Sequence, residues 1–303
     1  MRISGFSFVR NAIRLSYPVK EAVRSALPLV DEFVIACGDS DDGTTELIRS
    51  IGDPKIRIIE TVWDTDLFVR GNINAHQTNI ALDACTGDWC VYLQADEVLH
   101  EKDLPVLRRA MERYSACPEI EGFLFRYIHF FGSYDRYQTA HNWYGREVRI
   151  VRNGIGVRSW KDAQGFRIGG RKMDVLPVDA DIYHYGWVRP PVLMIQKQIA
   201  LSSLYHENDW VQAQYPDSGA AFDYGSLKTC RPFRESHPAV MSERIAAMDW
   251  TVDPGKPNTK DHRHDRLSVR ILSFIENRIL GRKIGEYRNY RVIRDPMRGG
   301  RMR

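Results

Sequence analysis

Short apolar runs alternate with amphipathic stretches over the first hundred residues. The run 32–37 is almost wholly apolar, which is typical of a strand buried on both faces. Pro18 marks the start of one helical stretch, and Gly87 follows the end of another. Because strands and helices alternate, the pattern predicts right-handed crossovers and a mostly parallel sheet. The predicted strands are 3–9, 32–37, 55–60 and 89–93, and the predicted helices are 18–27, 45–50 and 72–85.

The pattern changes after residue 100. A helix is predicted at 104–114, and the stretches 122–131 and 147–152 are aromatic and β-branched with short turns. These stretches predict an antiparallel or mixed continuation of the sheet rather than a new domain. Segment 208–236 is rich in turn formers and is predicted to be a mobile loop. Further helices are predicted at 192–204, 237–248 and 266–280.

The composition is that of an ordinary globular protein, with 43% hydrophobic and 27% charged residues in 303. A chain of this length buries a large core, so wholesale disorder, collagen and a disulfide mini-scaffold are excluded. Its apolar runs are too short for a bilayer and its N-terminus lacks the apolar stretch of a signal peptide, which predicts a cytoplasmic protein. Five cysteines without Cys-x-x-Cys spacing predict buried thiols.

The formal net charge of +4 is concentrated at the C-terminus. Segment 278–303 holds nine Arg or Lys residues and two acidic ones. The helix before it is predicted to pack one apolar face on the rest of the chain and to turn its arginines outward. Such a segment can contact anionic lipid head groups, nucleic acid or phosphorylated substrates, or it can be a solvated end without a partner.

Polar side chains follow three of the predicted strands. The first strand ends at Arg10 and Asn11, and ligands of an open parallel sheet bind at the carboxyl ends of its strands. Five carboxylates at two strand ends of one sheet repel one another unless a cation or a donor-rich ligand lies between them. Each group taken alone is also a common turn or helix cap. The carboxylates are Asp39, Asp41, Asp42, Asp96 and Glu97.

Together these residues resemble a glycosyltransferase of family 2. The turn 38–44, Gly-Asp-Ser-Asp-Asp-Gly-Thr, is similar to the family's Asp-Gly-Ser-x-Asp-Gly-Thr turn, and Leu-Gln-Ala-Asp-Glu at 93–97 falls where the family has Asp-x-Asp. Gly87-Asp88-Trp89 matches the turn that leads into the metal-binding strand. Segments 146–152, 162–165 and 184–185 look like the acceptor half of bacterial transferases that build surface polysaccharide or lipopolysaccharide.

The resemblance implies the GT-A fold, a Rossmann-like α/β architecture with a mostly parallel mixed sheet and C-terminal helices. It divides the chain into a catalytic domain at 1–205, with a nucleotide-sugar half at 1–100 and an acceptor half at 101–205. Segment 206–303 then holds the loop, the C-terminal helices and the basic tail. The implied nucleotide-binding residues are Phe8, Arg10, Asn11, Asp39, Asp41, Gln77, Asn79, Gln94 and Ala95.

The implied reaction is inverting transfer of a sugar, of the hexosyltransferase type, from a nucleoside-diphosphate sugar to a saccharide or lipid-linked acceptor. UDP is the expected nucleotide, and Mn²⁺ or Mg²⁺ is the expected cofactor because such cations bridge a diphosphate to carboxylates. Asp96 is the implied direct metal ligand, Glu97 a helper and His184 a downstream ligand, although a histidine between tyrosines is also a common packing residue. The expected protein is cytoplasmic, peripheral on the inner face of an anionic membrane, and binds no nucleic acid.

An inverting enzyme also needs a general base on the acceptor hydroxyl. The resemblance places an acid after the strand 149–152, where Asp162 is the first candidate, and Glu147 and Asp135 are the alternatives. Aromatic residues offer stacking surfaces for sugars, although large aromatics are also common in cores. They are Trp143, Tyr144, Trp160 and Trp187.

Two positions depart from the family pattern. Gly38 stands where the family has an acid, so the base contact is expected to shift to Asp39, and Gln94 replaces the first acid of Asp-x-Asp, where its amide can bond a ribose hydroxyl. These departures favour, as an alternative, a catalytically degenerate carbohydrate-binding or scaffold protein of the same fold. A sugar-phosphate nucleotidyltransferase is disfavoured because no glycine follows the first strand, and a NAD-dependent dehydrogenase because Gly-x-Gly-x-x-Gly is absent.

Overall fold

The first half of the sheet is parallel, as predicted. The computed structural model describes residues 1–68, 70–217, 219–257 and 262–297. Its first four strands lie side by side in the order β3-β2-β1-β4 and all run in parallel. They are β1 (Ile3–Val9), β2 (Glu32–Cys37), β3 (Ile56–Glu60) and β4 (Trp89–Tyr92).

The helices between these strands cover the sheet. Strands β2 and β4 are buried along their whole length, which explains their nearly continuous apolar sequences. The connecting helices are α1 (Val19–Ala26), α2 (Thr44–Arg49) and α3 (Asn72–Asp83). Each begins or ends within two residues of its predicted bounds, so local apolar periodicity is sufficient to define this half of the fold.

The second half continues the same sheet with mixed pairing. Strand β8 (Arg146–Arg152) pairs antiparallel with β4 and with β6 (Gly122–Phe131), and the 17-residue β11 (Arg171–Trp187) runs parallel to β6. Strand β5 (Glu97–Leu99) pairs antiparallel with β11. The predicted mixed continuation and the α/β class are therefore confirmed. The other elements are α4 (Leu104–Arg113), β7 (Ser133–Gln138), β9 (Val157–Trp160) and β10 (Gly165–Ile168).

The C-terminal third corrects two predictions. Segment 208–236 is not simply a loop, because it contains α6 (Asn208–Gln214) and β12 (Cys230–Pro232). The helix predicted at 237–248 is reduced to a 3₁₀ turn and the short α7 (Ser242–Ala246). The predicted helix at 192–204 is α5 (Pro191–Ser202).

The last described segment returns to the sheet. Helix α8 (Leu267–Ile275) continues as a π-helical turn, Glu276–Leu280, and β13 (Tyr290–Val292) then pairs in parallel with β11. The predicted basic tail lies partly outside the described residues, since they end at 297. No helix within the described ranges is long and apolar enough to cross a membrane. The cysteines are free, and four of the five are buried, as predicted.

Candidate active site

A cavity of about 470 Å³ opens at the carboxyl ends of the parallel strands. The end of β1 and the segment after β4 form one side, and β11 and α5 form the other. Its predicted lining residues are Phe8, Arg10, Asn11, Gln94, Ala95, Asp96, Trp143, Tyr144, Asp162, His184 and Trp187. The cavity therefore brings together residues that lie up to 197 positions apart in sequence, from Phe8 to Tyr205.

One corner of the cavity is aromatic and charged. The Arg10 guanidinium lies 5.3 Å from the centre of the Trp63 ring, and its Nε is 3.1 Å from Asp39 Oδ1. The backbone N–H of Trp63 donates to the same carboxylate at 3.2 Å. Trp63 was not predicted as a site residue, because it follows β3 in a segment without hydrophobic periodicity. Its place just after the carboxyl end of a predicted strand was the available indication.

Gly38 is explained by this corner. A Cβ at position 38 would lie 2.4 Å from Nε1 of Trp63, so only glycine lets the indole lie over the turn. The family's acid is thus absent at position 38 because the Trp63 indole occupies the space that a side chain there would need. Gln94 reaches across the cavity floor, where its Nε2 donates to the Ala163 carbonyl at 3.4 Å.

Two of the predicted nucleotide-binding residues hold helix α3 in place through hydrogen bonds within the protein. Gln77 is buried on α3 and accepts a hydrogen bond from Thr61 Oγ1 at 2.6 Å. Asn79 Oδ1 accepts from the backbone N–H of Ser159 at 2.8 Å and so ties α3 to β9. Neither residue lines the cavity. Both therefore hold the helix that stands beside the site, and the structure does not support direct contact with a nucleotide.

The clustered carboxylates are separated by protein cations. Asp41 is exposed and pairs with Arg14 Nη2 at 2.6 Å, outside the cavity. Glu97 is buried and accepts two bonds from Arg149, at 2.7 and 2.8 Å, and a third from the Tyr127 hydroxyl at 2.7 Å. The geometry contradicts the predicted role of Glu97 as a metal helper, because both of its oxygens already accept hydrogen bonds from protein groups and the residue does not line the cavity.

Asp96 and His184 are brought together by the pairing of β5 with β11. The register places His184 opposite Glu97, and the Tyr185 N–H donates to the Asp96 carbonyl at 2.8 Å. As a result, Asp96 Oδ1 lies 3.7 Å from His184 Nε2. Burial raises the pKa of Asp96, but the neighbouring cations, with Lys197 foremost, outweigh it and lower the pKa to about 2. Asp96 is therefore ionised.

A relay of histidines sets the tautomer of His184. His129 Nε2 lies 2.8 Å from the Tyr144 carbonyl, which only accepts, so this nitrogen carries a proton. Burial lowers the pKa of His129 and of His184, so both rings are neutral. His129 Nδ1 then accepts from His184 Nδ1–H at 2.9 Å. The network assigns a free lone pair to His184 Nε2, on the side of Asp96.

This pair fits a divalent cation. A lone pair and a carboxylate with no proton between them attract a cation, and imidazole and carboxylate are both ligands for Mn²⁺ or Mg²⁺. Gly186 keeps the space beside them open, since a Cβ there would lie 2.6 Å from His184 Nε2 and 2.7 Å from Asp96 Oδ2. Within the described ranges no cluster of three or more His, Cys, Asp or Glu forms a complete cage. Phosphate oxygens of a ligand would have to complete the coordination.

Two unpredicted cations lie behind Asp96. Lys197 of α5 is buried and lines the cavity, and its Nζ is 3.2 Å from Asp96 Oδ2 and 2.7 Å from the Gly186 carbonyl. Burial lowers the pKa of Lys197 to about 8. Arg189 is fully buried, 4.9 Å from the centre of the Tyr17 ring. Lys197 lies in a stretch with helical spacing and Arg189 follows a strand end, and neither stands in a motif. The sequence therefore did not identify them as site residues.

The three candidate bases differ in their access to the cavity. Asp162 lines it, in a turn whose neighbours Lys161 and Ala163 have positive φ angles of 56° and 63°. Glu147 does not line it. Asp135 is an exposed residue of β7, outside the cavity lining. Only Asp162, of the three, is within reach of a ligand in the cavity.

Glu147 is instead part of a buried polar cluster. Its Oε1 accepts from Gln164 Nε2 at 2.9 Å and from Asn289 Nδ2 at 3.2 Å. Burial raises the pKa of Glu147 to about 7. Since Asn289 precedes β13, this contact ties the C-terminal segment to the sheet.

The aromatic residues also divide into two groups. Trp143, Tyr144 and Trp187 line the cavity and offer ring faces and edges to a ligand. Trp160 is outside the lining, 42% exposed, with the Arg167 guanidinium 5.7 Å from its ring centre. The structure therefore does not support the predicted contact between Trp160 and a sugar.

The family comparison agrees with the resemblance found in the sequence. The family model described as Glycosyl transferase family 2 matches residues 17–173, just over half of the chain, and confirms that resemblance. No curated protein matches the chain.

Solved structures match only distantly. Glucosyl-3-phosphoglycerate synthase from Mycobacterium tuberculosis, in complex with Mn²⁺, UDP and phosphoglyceric acid, is 18% identical, with a TM-score of 0.29 over 42% of this chain and 43% of that chain. Residues 1–349 of TarS from S. aureus are 12% identical, with a TM-score of 0.35 over 72% of this chain and 71% of that chain. Mannosyl-3-phosphoglycerate synthase from Rubrobacter xylanophilus is 20% identical, with a TM-score of 0.29 over 43% and 41%. This chain thus spans less than half of the mycobacterial synthase that it matches.

Proposed function

Because the chain belongs to glycosyl transferase family 2, we propose that it transfers a hexose from a nucleoside-diphosphate sugar to a hydroxyl group of a saccharide or lipid-linked acceptor. The observation that carries the proposal is that the ionised Asp96 carboxylate and the free lone pair of His184 Nε2 lie side by side, as two possible metal ligands, at the edge of the sheet. UDP is taken as the nucleotide, and inversion as the stereochemical course, because the family resemblance implies them.

Arg10 and Trp63 line the cavity and Asp39 holds both of them from just outside the lining, and the corner that they form suits the nucleoside. A base can stack on the indole face, and the Asp39 carboxylate can accept a hydrogen bond from a base N–H or a ribose hydroxyl. Asn11 and Gln94 line the path from this corner to Asp96 and offer amide groups to the ribose. The donor would then extend from the aromatic corner toward Asp96, with its diphosphate last.

Asp96 Oδ1 and His184 Nε2 would hold Mn²⁺ or Mg²⁺ together with the diphosphate. A divalent cation bound there supplies Lewis-acid stabilisation of the charge on the leaving group. His129 keeps the lone pair of His184 directed at the site, and Gly186 keeps the space open. The chain thus contributes two ligands and a donor set that selects oxygen-preferring cations.

Asp162 is the proposed general base. The acceptor oxygen forms a bond to the anomeric carbon while the bond from that carbon to the diphosphate oxygen breaks, and the diphosphate leaves with the electron pair. The proton of the acceptor hydroxyl passes to the Asp162 carboxylate. Trp143 and Trp187, which also line the cavity, provide apolar ring surface for the acceptor saccharide.

Titration calorimetry with UDP, GDP and dTDP, with and without Mn²⁺, tests the donor class. We expect one nucleoside diphosphate to bind more tightly with the metal, and the corresponding nucleotide sugars to be consumed when a saccharide acceptor is added. If no nucleoside diphosphate binds under either condition, the proposed activity is wrong. Binding of free saccharides without any nucleotide would instead favour the degenerate carbohydrate-binding alternative, which the departures at Gly38 and Gln94 support.

An anionic membrane surface is the proposed location of the acceptor. On α8, Leu267, Ile271 and Phe274 lie on one face at i, i+4 and i+7 and are 68%, 52% and 62% exposed, whereas Val269 and Ser273 are buried. The outward face of α8, which the sequence predicts to be basic, is therefore also apolar. The exposed basic residues around it are Arg266, Arg270, Arg278 and Arg282. Apolar side chains ringed by arginine are typical of helices that lie in an anionic lipid interface.

Co-sedimentation with vesicles of phosphatidylserine and phosphatidylcholine tests this surface. The full chain is expected to sediment with the anionic vesicles, and Phe274→Glu to remain in solution. Trp210→Glu is the matched control, since Trp210 is an exposed aromatic residue of a different helix, α6. Equal sedimentation of the wild type and Phe274→Glu would remove the membrane from the proposal.

A further inference from the structure

The buried charges around Asp96 do not balance. Asp96 is a single carboxylate, whereas Lys197 and Arg189 are two cationic side chains, and all three are buried. Glu97 is already bound by Arg149, and histidines add no negative charge. The base of the cavity therefore holds one uncompensated positive charge before any ligand or metal enters.

Arg189 makes this imbalance costly. None of its three guanidinium nitrogens has a hydrogen-bond partner among the described residues, and none of their carboxylates lies within ion-pair distance of it. A buried guanidinium that meets only the face of a tyrosine ring leaves its charge uncompensated, so it favours a bound anion nearby. Arg189 itself does not line the cavity, so it contributes charge from behind rather than a direct contact.

Lys197 is the group that can touch such an anion. It lines the cavity, and its ammonium has three N–H donors. Two of them meet Asp96 Oδ2 and the Gly186 carbonyl, which leaves one for a ligand. Its Nζ lies 5.1 Å from the centre of the Tyr17 ring, over which the Arg189 guanidinium also lies. The two cations thus act on the same side of the cavity.

We propose that Lys197 is a substrate-contacting residue whose ammonium binds the terminal phosphate of the donor diphosphate, with Arg189 maintaining the positive potential behind it. This inference rests on the proposed transferase function and extends it. The phosphate that Lys197 binds is the one whose bond to the sugar breaks, so the ammonium stabilises the charge that develops on the leaving group. The chain then holds a resident cation for the diphosphate in addition to a place for a divalent metal.

Nucleotides that differ by one phosphate test the inference. Titration calorimetry of UDP and UMP, in EDTA and in Mn²⁺, is performed on the wild type, Lys197→Gln and Lys172→Gln. Lys197→Gln should bind UDP about 10- to 100-fold more weakly, as expected for the loss of a charge-assisted hydrogen bond, and UMP within about threefold of the wild type. Lys172→Gln, an exposed position at the far end of β11, removes the same charge and should bind both nucleotides normally.

The outcomes separate the inference from the function on which it rests. Unchanged UDP binding by Lys197→Gln overturns the inference alone, and so does an equal loss of UDP and UMP, which would mean that Lys197 only shapes the cavity. Absence of UDP and UMP binding by the wild type overturns both. If Lys197→Gln melts below the assay temperature, Lys197→Met, which keeps the length of the side chain, is measured instead, with the same selective loss of UDP expected.

Discussion

Replacing Gly186 by alanine tests the proposed metal site with a single methyl group. A Cβ at this position would lie 2.6 Å from His184 Nε2 and 2.7 Å from Asp96 Oδ2. Both side chains must therefore move, His184 by roughly 0.8 Å and Asp96 by roughly 0.7 Å, to reach an ordinary contact of 3.4 Å. Neither moves freely, since His184 is held by His129 and Asp96 by Lys197. Metal sites tolerate deviations of only about 0.2 Å in ligand distance.

We expect Gly186→Ala to bind Mn²⁺ in the presence of UDP at least about 10- to 100-fold more weakly than the wild type, comparable to other disturbances of ligand orientation. Electron paramagnetic resonance of free Mn²⁺ measures this directly and does not depend on turnover. Metal-free binding of UMP should be nearly unchanged, because the nucleoside corner around Trp63 is not touched. The backbone at position 186 is open to any residue, so the effect comes from the contact alone.

Gly145→Ala is the matched control for this experiment. A Cβ at position 145 would meet its nearest atom, Oε1 of Glu286, at 3.6 Å, which is an ordinary contact. Its melting temperature and Mn²⁺ affinity should both equal those of the wild type. If Gly186→Ala retains normal Mn²⁺ affinity in the presence of UDP, the space between Asp96 and His184 is not the metal site, and the reasoning from the open glycine is refuted.

Three further changes separate the roles of the carboxylates. Asp96→Ala should lose metal-dependent UDP binding and roughly a thousandfold or more in rate while remaining folded, because it removes the proposed direct metal ligand; normal Mn²⁺-dependent turnover would contradict this. Asp162→Asn should bind UDP normally and lose about 10²- to 10⁴-fold in rate, because the amide cannot take a proton, and full activity would assign the base elsewhere. Glu147→Gln should melt at a higher temperature than the wild type at pH 8 and at the same temperature at pH 4.5. The folded pKa of Glu147 is raised from 4.5 to about 7, so the stability that its proton contributes is present below pH 4.5 and is lost as the pH rises through 7. No difference between the two melting temperatures at pH 8 would show that the buried carboxyl carries no such penalty.

The first hundred residues were predictable because their structure is determined locally. Strands buried on both faces need nearly continuous apolar runs, and the helices between them repeat at helical spacing, so β1 and β2 have the bounds that their sequences predict. The rule that ligands bind at the carboxyl edge of a parallel sheet then located the cavity. No contact between distant residues had to be known for either step.

The wrong prediction at Glu97 has a physical reason that the local sequence does not show. Residues 95–96 form a turn, closed by a bond of 3.0 Å from the Glu97 N–H to the Gln94 carbonyl, and β5 begins only at Glu97. Asp96 faces the cavity, and Glu97 turns to Arg149. Glu97 is excluded as a metal helper by its contact with Arg149, which lies 52 positions away and cannot be inferred from the spacing of the acids.

Contacts across the sheet could not be predicted in the same way. Asp96 and His184 meet because β5 pairs with β11 in one register, and a shift by one residue would turn His184 to the other face. Lys197 joins them from α5, a helix whose sequence shows apolar spacing and no motif. Register and helix packing depend on the whole core, so these contacts form only when the chain is folded and cannot be inferred from local sequence.

The charge distribution at the sheet edge differs from the one that the clustered carboxylates predict. Their mutual repulsion predicts a bound cation among them, but Asp39 and Asp41 each have an arginine, and Glu97 is held by Arg149. Asp96 instead has a lysine that keeps an N–H donor toward the cavity. Arginines therefore already neutralise the carboxylates Asp39, Asp41 and Glu97 at the edge of the sheet. The charge near Asp96, where the diphosphate is expected, is positive. Recognition of the donor then depends at least as much on the resident cations as on the acids at the strand ends.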